Sequence, residues 1–192
     1  MGDLIKSIYA GFMIGLGGTV YLSLENKIIG AILFSFGLLT IVNQGFYLYT
    51  GKVGYENNIV KILMIILGNA IGTFLMSFIV QLSKPELVEV ANGLWQNKMN
   101  YNGEQITFLT MLCGIMMYLA IDNYQRNNNI LFIMFPVVIF ILCGFEHSIA
   151  NLFYMFLSNN LNPLSIGFIF VCLLGNAVGA KCFHILKTEL IN

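Results

Sequence analysis

The chain has 192 residues, of which 58% are hydrophobic and only 9% charged, and nine basic side chains balance nine acidic ones to give a formal net charge of zero. Mean hydropathy is +0.81. These values exclude an ordinary water-soluble globular domain, point to a membrane protein with the lipid bilayer as its solvent, and give no reason to expect a nucleic-acid partner.

Crossing ~30 Å of hydrocarbon as a helix takes ~20 apolar residues. Stretches of that kind fall at 4–24, 28–49, 59–82, 106–121, 130–157 and 163–186, the fourth short and the fifth long. The first runs without a cleavage-like region into "SLENK" and is too long for a signal-peptide core, so it reads as a retained span. Between the third and fourth lies the longest polar stretch, 83–105, which reads as a loop holding the single tryptophan, Trp95, at headgroup depth. Six spans put both termini on one side. That side holds Lys6, Lys52, Lys61, Arg126, Lys181 and Lys187 against Lys27, Lys84 and Lys98 opposite, which places the termini in the cytoplasm of a cell-membrane protein. Residues 1–192 form a single transmembrane domain on this reading.

The chain repeats itself. "GNAIGT" at Gly68 returns as "GNAVGA" at Gly175, "GFYLYTGK" at Gly45 as "GFEHSIAN" at Gly144, and "IGL" at Ile14 as "CGI" at Cys113. Residues 4–82 therefore echo residues 106–186. Each half has three crossings, so the second is inserted upside down relative to the first: an all-α membrane protein of six helices in two inverted repeats, the plan of channels and transporters. The G-x-x-x-G pairs Gly11–Gly15, Gly68–Gly72 and Gly175–Gly179 allow close helix packing. Asn69 and Asn176 need hydrogen-bond partners at membrane depth, on a neighbouring helix or along a path.

"CGFEHSIANLFYMF", from Cys143, sets Glu146 and His147 in mid-span, where ionisable groups face a partner, a cavity or a pathway. Glu146 could equally anchor a broken helix, and His147 could be a satisfied core histidine. Adjacent helical residues do not face each other, so His147 and Ser148 make no hydrolase pair. The only other histidine, His184, lies at the far end of the last span, which leaves no metal pair. Neither a catalytic set nor a cofactor motif stands out. Cys113, Cys143, Cys172 and Cys182 lie in or beside apolar runs without CxxC spacing and read as small apolar residues.

"GFEHSIANLF" resembles the signature of the formate/nitrite transporter family. "AGFMIGLGG" at Ala10, "LYTGK" at Leu48, "TMLCGIMMYLA" at Thr110 and "LLGNAVGA" at Leu173 are similar to further motifs of that family, in the same order. The resemblance implies an aquaporin-like fold, assembled as a homopentamer with one pore per protomer, passing small monovalent anions or their conjugate weak acids such as formate, nitrite or hydrosulfide. It implies a central pore histidine at His147 linked to substrate protonation, with Glu146 beside it and Asn151 in the same motif. Lys98 matches a lysine of the outer vestibule, expected to attract anions, and Thr50 lies in the broken-helix loop of the second span. Phe34, Leu38, Leu48, Tyr49 and Phe140 match the apolar constrictions, although ordinary core packing would explain each of them without the family.

Three positions depart from the family pattern: Gly114 for asparagine, Tyr47 for an acid and Lys52 for asparagine. "MGDLIK" leaves no room for the N-terminal amphipathic helix of the formate channel subgroup, so its gate is expected to be absent. Physically, a bare anion in a dry constriction is costly while its neutral acid is not. His147 would then donate a proton or hold a water that does. A neutral-solute channel of aquaporin type would need Asn-Pro-Ala at the helix junctions, which neither half has, and a scaffold with a degenerate pore need not keep Lys98 and His147 together.

Overall fold

The computed structural model describes residues 2–191 and is all-helical among them. In chain order the helices are α1 (Gly2–Ser23), α2 (Lys27–Asn43), α3 (Tyr49–Lys52), α4 (Ile59–Ser83), α5 (Glu86–Met99), α6 (Gly103–Asn127), α7 (Leu131–Leu142), α8 (Ser148–Leu157) and α9 (Pro163–Ile191). By length and composition α1, α4, α6 and α9 can each cross a membrane; α2, α7 and α8 are shorter apolar helices.

Polar side chains set the helix ends. Asn26 caps α2 by accepting from the Ile28 and Ile29 amides, and Asn58 caps α4 through Lys61. Asn102 and Gln105 form a reciprocal capping box at the start of α6. This box and the left-handed Asn128 at the other end extend α6 to 25 residues, well past the short span expected at 106–121.

Two expected spans are interrupted. The stretch 28–49 stops at Asn43 and resumes as α3, and 130–157 stops at Leu142 and resumes as α8. Both breaks are built alike. Gly45 (φ 65°) and Gly144 (φ 69°) take the left-handed conformation that ends the preceding helix, and the Phe46 and Phe145 amides reach back to the Ile41 and Phe140 carbonyls at 2.9 and 2.8 Å. Hydropathy cannot register such breaks, because Phe46, Leu48 and Phe145 are as apolar as the helices around them.

The long helices pair as α1 with α4 and α6 with α9, the two most extensive pairings among the described residues. Glycine permits both. Gly72 lies against the Ile8 carbonyl and Gly179 against the Met111 carbonyl, while Gly11 and Gly114 lie against the backbones of Asn69 and Asn176. A side chain at any of the four would strike backbone, so Gly114 is a packing position rather than a polar contact.

The stretch 83–105 is not a loop. Leu87, Ala91 and Trp95 recur at helical spacing and bury one face of α5, with Trp95 fully buried. Its indole N–H donates to Ser165 Oγ at 3.2 Å and its ring meets Phe168 edge-on. Elsewhere large apolar side chains face outward, among them Leu63, Leu67, Phe74 and Phe78 of α4 and Phe170 and Leu174 of α9. In water such a surface would aggregate; in lipid it is matched to its solvent.

Candidate functional site

The site is assembled where the two breaks meet. Each new half-helix begins with an unpaired amide in an apolar surrounding, and a long helix supplies the acceptor. Asn69 Oδ1 accepts from the Tyr49 amide at 2.8 Å while its Nδ2 donates to the Tyr47 and Ser7 carbonyls, both at 2.8 Å. Asn176 does the same in the other half. Its Oδ1 accepts from the Ser148 amide at 2.9 Å, and its Nδ2 donates to the Glu146 and Thr110 carbonyls at 2.9 and 2.8 Å. The twice-written "GNA" is thus a fastening device: its glycine admits the partner helix, and its asparagine caps a broken one. Both side chains are fully buried, with their amide groups taken up by these bonds.

This fastening brings Thr50 and His147 together, with Thr50 Oγ1 and His147 Nε2 2.9 Å apart. Both are buried. His147 is also the N-cap of α8, its Nδ1 accepting from the Ala150 amide at 3.1 Å. That bond fixes the tautomer: Nδ1 has its lone pair in use, so a neutral ring carries its proton on Nε2 and donates it to Thr50. A doubly protonated ring would point Nδ1–H at the Ala150 N–H. Phe140 stacks on the imidazole, with centroids 5.5 Å apart, and Phe34 meets Phe140 edge-on at 6.1 Å.

On one side of this centre is a cavity of about 200 Å³ lined by Phe34, Phe140, His147, Glu146, Asn151 and Lys98. Lys98 Nζ donates to both Glu146 oxygens at 2.8 and 2.7 Å, and Asn151 Nδ2 donates to Glu146 Oε2 at 2.7 Å. The carboxylate is fully buried and the lysine side chain 13% exposed. Three charge-assisted bonds compensate the burial of this acid. Lys98 is therefore not an isolated cation, and Glu146 anchors through side chains rather than through helix amides. Tyr21 and Tyr154 also line this cavity; nothing in the sequence singled them out.

A second, smaller cavity, about 150 Å³, is lined by Leu38, Leu48, Gly51, Lys52 and Gln125 among others, Leu48 and Gly51 lying close to Thr50 in the chain. Near it the Tyr47 ring gathers three ammonium groups, those of Lys52, Lys6 and Lys61 at 5.1, 5.3 and 5.5 Å from its centroid. An aromatic face thus stands where the family pattern has an acid. Tyr49 is the exception among the expected constriction residues. It lines neither cavity, and its hydroxyl donates to the Leu173 carbonyl of α9 at 2.8 Å.

The profile of the formate/nitrite transporter family matches residues 2–188. The chain belongs to the formate/nitrite transporter family. Among curated relatives, it is 24% identical over 181 residues to the formate channel FocB of Escherichia coli strain K12, covering 78% of this chain and 64% of that one. With the formate channel FocA of Haemophilus influenzae the identity is 27% over 150 residues, covering 66% and 52%. The chain thus spans between half and two-thirds of the length of these relatives. In fold it is similar to a pentameric formate channel with formate bound (TM-score 0.85, 21% identity, 99% of this chain and 96% of that one). It is likewise similar to an ion channel of the same family (TM-score 0.89, 20% identity, 100% and 90%). Family members of this kind are multi-pass membrane channels and transporters rather than enzymes.

Proposed function

We propose that the chain is a membrane channel for small monovalent anions or their conjugate weak acids, formate first among them, working as a homopentamer in the cell membrane with both termini in the cytoplasm. The observation that carries this reading is the junction of Thr50 and His147, a polar pair 2.9 Å apart, with His147, Phe34 and Phe140 lining one cavity and Leu48 and Gly51, close to Thr50 in the chain, lining a second. The matched bonding of Asn69 and Asn176 supports two inverted repeats of three crossings each, with α2–α3 and α7–α8 as broken spans, in one domain covering the whole sequence. Formate follows from the names of the relatives; nitrite shares its charge and approximate size, and hydrosulfide is a smaller ion of the same charge.

Chemically, the aromatic stretch favours a neutral solute, because a bare anion there loses its water without replacement. Lys98 has three N–H donors, two of which face Glu146, so one is left to meet an anion at the outer mouth. Lys52 and Lys6 serve the inner mouth in the same way. His147 is linked to protonation as the partner that receives the acid form: Nε2–H polarises the Thr50 hydroxyl, which donates to the passing carboxyl. The ring itself stays neutral, and the proton comes from water at the mouth.

Stopped-flow uptake of formate, nitrite and hydrosulfide into proteoliposomes at two pH values tests this. Wild type should conduct faster at the lower pH, and His147→Phe should abolish flux with the oligomer intact. Uptake no faster than in protein-free vesicles would refute the channel. Loss of the pH dependence alone in His147→Gln would refute the neutral ring and make the imidazole the proton donor.

A further inference from the structure

The two half-helices differ in length. Helix α8 runs for ten residues and packs along α4, whereas α3 ends after four and barely reaches α9. Where a longer α3 would lie, a crevice of about 290 Å³ remains between α4 and α9. Its floor is apolar, formed by Ile62, Ile66, Leu173 and Ala177, and its lips, Leu63 and Leu174, are 58% and 64% exposed. The volume is roughly twice that of an apolar cavity that accepts benzene.

One end of the crevice is polar. Lys181 Nζ donates to the Glu56 carbonyl at 3.3 Å and to Asn57 Oδ1 at 3.0 Å, both neutral acceptors. The nearby Glu56 carboxylate is taken by Lys61 at 2.8 Å. Among the described residues Lys181 has no carboxylate partner, and the rim keeps one positive charge. Eleven residues of α9 separate Lys181 from Phe170 at the far end, about 16 Å at 1.5 Å per residue. That is the depth of one leaflet of a ~30 Å hydrocarbon core. A greasy slot one leaflet deep with a cation at its mouth matches a lipid.

We propose that this crevice binds one acyl chain of an anionic glycerophospholipid whose phosphate is held by Lys181. The chain rests on Tyr49, whose side chain turns from the central cavities to line the crevice. The occupant therefore lies directly behind the break that carries Leu48 and Thr50. The inference depends on the membrane setting and not on which solute is transported.

Native mass spectrometry of delipidated protein, titrated with phosphatidylglycerol or phosphatidylcholine of identical chains, provides the test. Wild type should retain phosphatidylglycerol, one per protomer, about fivefold more tightly than phosphatidylcholine, the effect of one lysine on attraction to anionic headgroups. Lys181→Gln should bring the two lipids level. Ala177→Phe, or Ala177→Leu should the larger side chain hinder folding, should reduce retention of both by filling the slot. Equal retention of both lipids by wild type would overturn the proposal. So would undiminished retention in the Ala177 variants, and so would a changed subunit count in those variants with lipid binding intact, which would mark the crevice as a contact between copies of this chain.

Discussion

Replacing Asn176 with leucine keeps the branched outline of the side chain, somewhat enlarged, and removes all three of its hydrogen bonds. The Ser148 amide and the Glu146 and Thr110 carbonyls would be left without that partner at a fully buried position. Each such loss costs about 1–3 kcal/mol, and bonds measured inside membrane proteins lie toward the low end. Three together give about 3–6 kcal/mol. For a chain of this size 1 kcal/mol corresponds to about 2–4 °C, so the apparent melting temperature in mild detergent should fall by about 6–24 °C. Asn69→Leu removes an equivalent set, to the Tyr49 amide and the Tyr47 and Ser7 carbonyls, and should lower it by a similar amount. A fluorescence-detected melt of both variants beside wild type reads this directly. An Asn176→Leu variant melting within about 2 °C of wild type would mean that the breaks are held by packing alone, and the assignment of the asparagines as caps would fail.

Gly72→Leu should prevent recovery of folded oligomer by size-exclusion chromatography, because the added side chain would strike the Ile8 carbonyl and the Phe12 amide. Gly93→Ala is the counterpart: the glycine lies on the exposed face of α5 with open space around it, and the variant should gain about 0.5–1 kcal/mol in the same melt. Lys98→Met should destabilise strongly by leaving the Glu146 carboxylate buried without its cation, and Lys98→Met with Glu146→Gln should recover much of the loss. A double variant no better than the single one would show that the pair does not act as a unit.

Much of the architecture was legible because membrane segments announce themselves by composition, and the repeat announced itself by letters. The breaks did not, since Phe46 and Phe145 continue the apolar run and only Gly45 and Gly144 mark the turn. Helix α5 was hidden by its polar composition, although Leu87, Ala91 and Trp95 at four-residue spacing carried a signal that a span-length search passes over. For the candidate site, the family motifs singled out Thr50, Glu146, His147 and Lys98. Their partnerships were not: Lys98 meets Glu146 from 48 positions away and His147 meets Thr50 from 97, distances over which spacing carries no information. Tyr49 misled for a related reason, since its hydroxyl, absent from a phenylalanine, finds the Leu173 carbonyl and turns the ring toward α9.

The borrowed caps also impose an order on biogenesis. When α3 leaves the ribosome, the Tyr49 amide has no partner in its own segment; its acceptor, Asn69, is made 20 residues later. The Ser148 amide waits longer, for Asn176, 28 residues downstream. Glu146, by contrast, is synthesised after Lys98 and can meet its cation at once. A nascent chain stalled before residue 69 or residue 176 would therefore present a break whose leading amide lacks its acceptor.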